Sequence, residues 1–496
     1  MTADDGAQAR STALTHQRLP DRSAAPLRPL GSRWAALVLA AMLVFAITAS
    51  ALSVQRHREF RTYRNDLGNM VQAVDSTAHG RLLETTTANG RQMSRLGGHV
   101  DPILVLFALP WLVWPDPALL LVLQAIIVAL AAWPTYRLGL RAFGDPAAAA
   151  LCAAAVLLYP PIQAAVLDEF HPVTLAIPLL LGAFVALEED RLRWAVPLLV
   201  LAAMCKEEIP LVIAVLGLYF ALRKRRRWPL LITAAGAAWF LVAVGLVIPH
   251  FNTEGAVLLH RYAGGDAGLR PIVTGLLTHP WRAATSLLDP TGLRHLLEML
   301  WPFGFSSLAS PLTLLIALPE ALVNLLSSKP QQHSTAYHYV AGEAPFVVAA
   351  MVLGLQRIGR RLLRKGRRAQ PVSLYRLLAG TVVAIALVAT LTVGPLAGER
   401  RGWGKLTSPA HREALAAAVA TVPAEASVSA DRVASHLSAR RYVYTFPYLD
   451  DAQYVAVDTR LPQSQPRSRA LAELQTSGRY ELAFSRDGVF VYRRVK

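Results

Sequence analysis

The chain has 496 residues, of which 54% are hydrophobic and 17% are charged, whereas roughly 25% of the residues of a soluble domain are charged. This composition excludes an ordinary soluble protein and predicts a polytopic α-helical membrane protein. The net charge of +17 lies in short arginine and lysine runs beside apolar segments. It therefore marks membrane topology, and we expect no nucleic acid among the partners.

The N-terminal part of the chain is predicted to cross the membrane once. Residues 1–32 are polar and aperiodic, which predicts a disordered cytoplasmic tail. The apolar run 34–53 follows Arg28 and Arg33 and is too long for a signal-peptide core. We therefore expect a retained first span with its N-terminus inside, followed by an extracytoplasmic loop at 54–101.

Later apolar runs continue this pattern. The segment 103–114 is bounded by two prolines and is too short to cross, so we place it along the membrane interface. The basic run 223–227 is the strongest mark of the cytoplasmic face. With the first span, the chain is expected to have about 11 transmembrane helices in a domain covering 33–395. The later spans are predicted at 117–136, 146–164, 173–187, 194–205, 209–222, 228–249, 294–307, 311–327, 341–356 and 375–395.

The last part of the chain, 396–496, lacks long apolar runs. Alternating apolar and polar residues at 442–444, 454–457 and 489–492 predict β-strands, and helical patterns lie between them. The count of spans delivers this segment to the outside. We therefore predict a small extracytoplasmic α/β domain.

The predicted topology places most of the unusual ionisable residues on the extracytoplasmic face. Such groups are costly beside lipid, so their default interpretation is a functional site. The candidate site residues are Asp66, His99, Asp168, Glu169, His171, Lys206 and Glu207, with His333, Tyr337 and His338 from the loop 328–340.

The residue types suggest chemical roles. Asp66 is interpreted as a general base that deprotonates an acceptor, and the cap of a short helix is the alternative. Lys206 is a compact cation suited to binding a phosphate, and it stands beside Glu207 and a second carboxylate. Ordinary ion pairing is the alternative. His99 and Asp101 could make half a metal site, with polar substrate contact or solvation at the membrane boundary as the alternatives. The cofactor therefore stays open, with a divalent metal as one candidate.

A family resemblance rests on five short stretches, Asp66-Leu67-Gly68, Gly98-His99 with Pro102, Phe170-His171-Pro172, Lys206-Glu207-Glu208, and 319–339. In these the sequence resembles the bacterial predicted membrane proteins grouped as domain of unknown function 2079. That family more distantly resembles the GT-C superfamily of membrane glycosyltransferases. The similarity implies a polyprenyl-phosphate-sugar donor, an acidic residue in the first extracytoplasmic loop, and a soluble C-terminal domain on the same side. Asp66 occupies the matching position.

These expectations give a GT-C-like membrane glycosyltransferase of the cell membrane. It would move a sugar from a polyprenyl-phosphate donor to an extracytoplasmic lipid, glycan or protein acceptor, with membrane lipids around it. Two alternatives stay open: a transporter or lipid flippase, and a non-catalytic scaffold for envelope assembly. A transporter should carry ionisable residues in mid-span. The spans here are nearly free of charge between their ends, and this favours the enzyme.

Overall fold

The computed structural model describes residues 32–252, 259–262, 269–364, 370–397 and 406–495. The expected disordered tail at 1–32 lies outside the described residues except for Ser32. The described residues are mostly helical up to residue 397 and mixed from residue 406 onward. The helices are α1 Arg33–Arg58, α2 Asn69–Ala78, α3 Ala108–Val113, α4 Pro117–Ala129, α5 Ala132–Phe143, α6 Pro146–Leu157, α7 Pro160–Leu167, α8 Ala176–Glu188, α9 Leu192–Ala203, α10 Ile209–Lys224, α11 Leu230–Val242, α12 Ile248–Phe251, α13 Leu269–Thr278, α14 Trp281–Leu288, α15 Pro290–Leu300, α16 Pro311–Leu314, α17 Leu318–Leu325, α18 Ala344–Arg364, α19 Pro371–Val393, α20 Pro409–Thr421 and α21 Gln465–Thr476.

Several of these helices are suited to a bilayer. Within the described residues, four helical stretches are long and apolar enough to cross a membrane, and the bent pair α6–α7 makes a fifth. These five agree with predicted spans. The other predicted spans fall on helices that are shorter or more charged, so the count of 11 stays a prediction. The four straight stretches are Arg33–Arg58, Pro117–Phe143, Leu230–Phe251 and Pro371–Val393.

One predicted span is wrong as a continuous helix. The segment 294–307 is interrupted because α15 ends at Leu300 and a short 3₁₀ turn follows. Pro302 removes a backbone donor there, and Gly304 and Phe305 both have positive φ angles of 57° and 56°. The left-handed conformation of these two residues turns the chain away from the helix axis.

Charged residues lie at both ends of helix α10. Arg223 pairs with Glu188, and the Lys224 Nζ lies 2.7 Å from the Asp190 Oδ1, so the C-terminal ends of α8 and α10 meet. Helix α10 has 16 residues, which separates this end by about 24 Å from the segment around Lys206 at its start. Ion pairs therefore lie at both ends of α10, and the membrane topology stays a prediction.

The C-terminal part forms a small α/β domain, as predicted. Five strands make a mixed sheet in the order β4-β3-β5-β7-β6, in which the first three strands are parallel and β5, β7 and β6 pair antiparallel. Helices α20 and α21 flank the sheet. A separate hairpin, β1 with β2, lies in the first loop. The strands are β1 Glu84–Thr86, β2 Gln92–Ser94, β3 Val428–Ala430, β4 Val443–Thr445, β5 Tyr454–Asp458, β6 Tyr480–Arg486 and β7 Val489–Arg494.

This C-terminal domain is docked on the segment that follows α1. Phe60 is buried within one of the domain's hydrophobic clusters. Its ring stacks on His436 with centroids 4.1 Å apart, and His436 stacks in turn on His57 at 3.9 Å. The domain therefore packs directly against the chain that leads to Asp66.

Candidate functional site

Asp66 lies in a π-helical turn, Arg64–Gly68, between α1 and α2. Helix α2 begins at Asn69, and its first turn has no side-chain cap, so the alternative that Asp66 caps this helix is wrong. A side chain at Gly68 would lie 2.6 Å from the Ser438 Oγ of the C-terminal domain. The turn and the C-terminal domain therefore pack closely at Gly68. π-Helical turns are frequent at functional sites.

The buried carboxylate of Glu169 supports the backbone of this turn. Its carboxylate accepts hydrogen bonds from the backbone amides of Tyr63 at 3.1 Å and Leu67 at 3.0 Å, and Arg56 lies 3.5 Å away. Burial and the charge of Asp66 raise the pKa of Glu169 to about 7. The sequence predicted a substrate contact for Glu169. Its 2%-exposed side chain positions the turn, and a contact with substrate stays a prediction.

Two carboxylate–histidine pairs face each other beside the turn. The Asp66 Oδ1 lies 3.5 Å from the His171 Nε2, and the Asp168 Oδ2 lies 2.9 Å from the His338 Nδ1. The two imidazole rings stack with centroids 3.5 Å apart. The Asp66 side chain is 45% exposed, so it is open to a ligand while its partners are buried.

Hydrogen bonding sets the protonation of the first pair. Burial raises the pKa of Asp66, but the hydrogen bond and charge of His171 outweigh it and hold this pKa below its usual range. Burial lowers the pKa of His171, yet the carboxylate of Asp66 raises it more. Asp66 is therefore a carboxylate at neutral pH, ready to accept a proton.

A second cluster joins His99 to the segment before α10. The His99 Nδ1 donates to the Glu207 Oε1 at 2.9 Å, and the Val100 amide donates to the Glu207 Oε2 at 3.0 Å. Lys206 forms an ion pair with Glu208. Burial disfavours the charged lysine, but these carboxylates raise its pKa above its usual range. Lys206 is therefore held as a cation.

This second cluster forms the polar end of a large apolar cavity. The cavity has a volume of about 840 Å³, within the range of ligand-binding pockets. It is bounded by residues of α10, α11, α13 and α17, and Arg261 and Tyr262 stand with Lys206 at its polar part. Its apolar wall includes Leu211, Phe240, Val244, Ile248, Ile272 and Leu322.

Tyr339 connects the two clusters. Its ring lies 5.6 Å from the Lys206 Nζ and 4.1 Å from the His338 ring. Burial raises the pKa of the Tyr339 hydroxyl, while the charges of Lys206 and Arg261 lower it and those of Asp66 and Asp168 raise it. The cations of the cavity and the carboxylates of the two carboxylate–histidine pairs thus act on the same hydroxyl group.

Not every predicted residue joins these clusters. The His333 Nε2 donates to the Ser327 carbonyl at 2.7 Å, which makes it a support of its own loop. Tyr337 is 36% exposed, and its ring centroid lies 6.4 Å from that of Tyr339. Asp101 is buried against Arg95 at 2.7 Å and serves as one half of an ion pair.

Sequence reasoning also missed site residues. Arg261 had no motif around it. Tyr339 directly follows His338, a predicted site residue, and this adjacency could have indicated Tyr339. Glu320 is 1% exposed, and neither carboxylate oxygen has a hydrogen-bond partner among the described residues. Its place within the resemblance stretch 319–339 was the only hint.

The family profile described as "Predicted membrane protein (DUF2079)" matches residues 56–491. The chain belongs to the DUF2079 family. The matched region of this DUF2079 chain contains the Asp66 turn, both clusters, the cavity and nearly all of the C-terminal domain, which confirms the resemblance found in the sequence. No curated protein matches it.

Among solved structures, the DUF2079 chain is similar to a crystal structure of ArnT from Cupriavidus metallidurans bound to undecaprenyl phosphate. The identity is 12%, the TM-score is 0.47, and the alignment covers 92% of this chain and 97% of that one. Similarity at this score carries no conclusion about function.

Proposed function

We propose that this DUF2079 protein is a membrane glycosyltransferase that moves a sugar from a polyprenyl-phosphate donor to an extracytoplasmic acceptor. One observation carries the proposal: an apolar cavity of 840 Å³ ends at a buried cation, Lys206, and Tyr339 connects this end to the partly exposed carboxylate Asp66. An amphipathic lipid phosphate needs this combination of apolar wall and cation.

The cavity suits the donor. Its apolar wall would receive the first isoprene units, because burial of their surface is favourable. Lys206 and Arg261 stand at its polar part, where they would bind the phosphate and stabilise the charge that develops as it departs. Glu207 and Glu208 keep Lys206 charged and hold it in place.

Asp66 suits the acceptor. In the transfer, an acceptor hydroxyl or amine attacks the anomeric carbon, and the bond between that carbon and the phosphate oxygen breaks with its electron pair leaving on the phosphate. The acceptor proton goes to Asp66, which is ionised and exposed. His171 orients this carboxylate, because its Nε2 faces the Oδ1.

The orientation in the membrane belongs to the same proposal. Helix α10 places Lys206 and the basic run 223–227 at opposite ends. The positive-inside rule assigns the basic end to the cytoplasm, so we place Asp66, the cavity mouth and the C-terminal domain outside.

The test uses the full-length protein in nanodiscs. Binding of undecaprenyl phosphate is measured first, and single-turnover transfer is then measured with a panel of polyprenyl-phosphate sugars. Lipid and glycan profiling of a deletion strain identifies the acceptor. We expect micromolar or tighter lipid binding. A wild-type protein that binds no polyprenyl phosphate would overturn the proposal and favour a scaffold or transporter.

A further inference from the structure

Asp168, His171 and His338 form a compact group from two distant parts of the chain. The first two lie in the loop between α7 and α8, and the third lies in the turn before α18. One donor atom from each lies within 4.8 Å of the other two. Donor atoms bound to one ion at about 2.1 Å lie roughly 3.4 to 4.2 Å apart. Side-chain shifts on the order of 1 Å therefore bring all three donor atoms to ligand spacing around one ion.

A second observation points to a ligand at the same place. The His171 Nδ1 is buried and has no hydrogen-bond partner among the described residues. The other ring nitrogen faces the Asp66 carboxylate. Metal-binding histidines commonly present one nitrogen to the metal and the other to a carboxylate that fixes the tautomer. His171 already has the carboxylate, and its remaining nitrogen lacks a partner.

We propose that Asp168, His171 and His338 bind a divalent transition-metal ion, Zn²⁺ or Mn²⁺. Two imidazoles and one carboxylate suit these ions, whereas Mg²⁺ and Ca²⁺ prefer all-oxygen sites. The two rings are stacked at an angle of 15°. Both nitrogens reach one ion only if the stacked rings open, so metal binding separates them.

The role of the ion rests on the proposed function. The polar end of the cavity holds one lysine against Glu207 and Glu208, and a donor phosphate adds further negative charge. His338 lies next to Tyr339, so an ion held by His338 would be close to the ring that faces Lys206. The ion would add positive charge where the phosphate departs.

Metal binding is tested on the full-length protein in nanodiscs after stripping with a chelator. The protein is dialysed against Zn²⁺, Mn²⁺ or Mg²⁺, and bound metal is counted by mass spectrometry. We expect one Zn²⁺ or Mn²⁺ for each chain, a higher unfolding temperature with that ion, and no retained Mg²⁺. His338→Ala should reduce the metal content at least about 10-fold and remove the thermal shift.

His333→Ala is the matched control, because His333 lies in the same loop and its side chain donates to a backbone carbonyl. It should retain the metal. His338→Gln is a second variant if the alanine variant fails to fold, and the unfolding temperature without metal shows whether each variant is folded. A wild type without bound ion, or equal metal in His338→Ala and His333→Ala, would overturn the proposal.

Undecaprenyl-phosphate binding is measured on the same samples. If metal-free protein still binds and transfers lipid-linked sugar, the ion has no role in transfer and the proposed glycosyltransferase function stands. If metal-loaded protein binds no lipid, the metal site stands and the proposed glycosyltransferase function is contradicted.

Discussion

The Asp66 Oδ1 and the His171 Nε2 are 3.5 Å apart, and the ring of His338 stacks on the ring of His171. Asp66 thus has one buried partner and one open side. This contact explains why the carboxylate is both ionised and accessible, which are the two properties required of an acceptor-side base.

The first prediction concerns that base. Asp66→Asn preserves the shape of the side chain and removes its proton affinity, so single-turnover transfer should fall about 10²-fold or more. Binding of undecaprenyl phosphate should survive, because the cavity is untouched. Glu84→Gln is the control, since Glu84 lies in the same loop and pairs with Arg81 at 3.2 Å. Wild-type rates in Asp66→Asn would remove Asp66 from catalysis.

The second prediction concerns the phosphate-binding cation. Lys206→Arg keeps the charge but replaces a point charge with a planar group, so donor affinity should weaken by about 10-fold with little loss of stability. Lys206→Ala should lose affinity and also stability, because it leaves Glu208 buried without its partner. The measurements are lipid binding and thermal unfolding. Unchanged lipid affinity in a folded Lys206→Ala variant would contradict the assignment.

The third prediction fills the cavity. Val244 lines the cavity, so Val244→Trp should block the isoprene-binding wall and reduce undecaprenyl-phosphate affinity by at least about 10-fold. Leu241, three residues earlier and 58% exposed, does not line it. Leu241→Trp should therefore bind lipid as the wild type does. Equal affinities of the two variants would place the lipid elsewhere.

The fourth prediction is a pH dependence. Burial lowers the pKa of His99 below 6.5, and the carboxylate of Glu207 only partly offsets it. The unfolded chain therefore binds a proton near pH 6.5 that the folded chain does not. Stability should fall as the pH drops from about 7.5 to about 5.5. The charged groups around His99 are Arg95, Asp101, Lys206 and Glu207.

His99→Gln isolates this contribution, because glutamine keeps a donor for Glu207 but does not titrate. The unfolding temperature of the wild type should decrease more across this pH interval than that of the variant. Identical decreases would show that His99 makes no contribution.

The fifth prediction concerns orientation. Asn89 is exposed in the β1–β2 hairpin and Arg227 is exposed after α10, and both native cysteines are buried. In intact cells, a membrane-impermeant maleimide should label Asn89→Cys and leave Arg227→Cys unlabelled until the membrane is opened. External labelling of Arg227→Cys alone would reverse the topology and place Asp66 inside.

Local features were readable from the sequence. The strands of the C-terminal domain follow from alternation over a few residues, and the charged end of α10 follows from its arginine run. The placement of the clusters on one membrane face rests on the order of the spans and stays a prediction. The first two inferences succeed because they depend on patterns within about 20 neighbouring residues.

Side-chain pairing was not readable. Asp168 and His338 are 170 positions apart, and the sequence contains no period that joins them. The segment 103–114, expected at the membrane interface, contains Trp111 and Trp114. Trp114 is 44% exposed. Trp111 is buried, and its indole donates to the Asp75 Oδ1 at 3.1 Å. Tertiary packing decides such contacts, and a single sequence does not report it.

The docking of the C-terminal domain has a pharmacological consequence. Arg64, two residues before Asp66, donates to the Val443 carbonyl at 3.3 Å, and Gly68 packs against Ser438. The C-terminal domain therefore braces the turn that carries Asp66. We expect that a molecule which separates this domain from the turn would displace Asp66. An inhibitor of the proposed activity therefore need not resemble a lipid-linked donor.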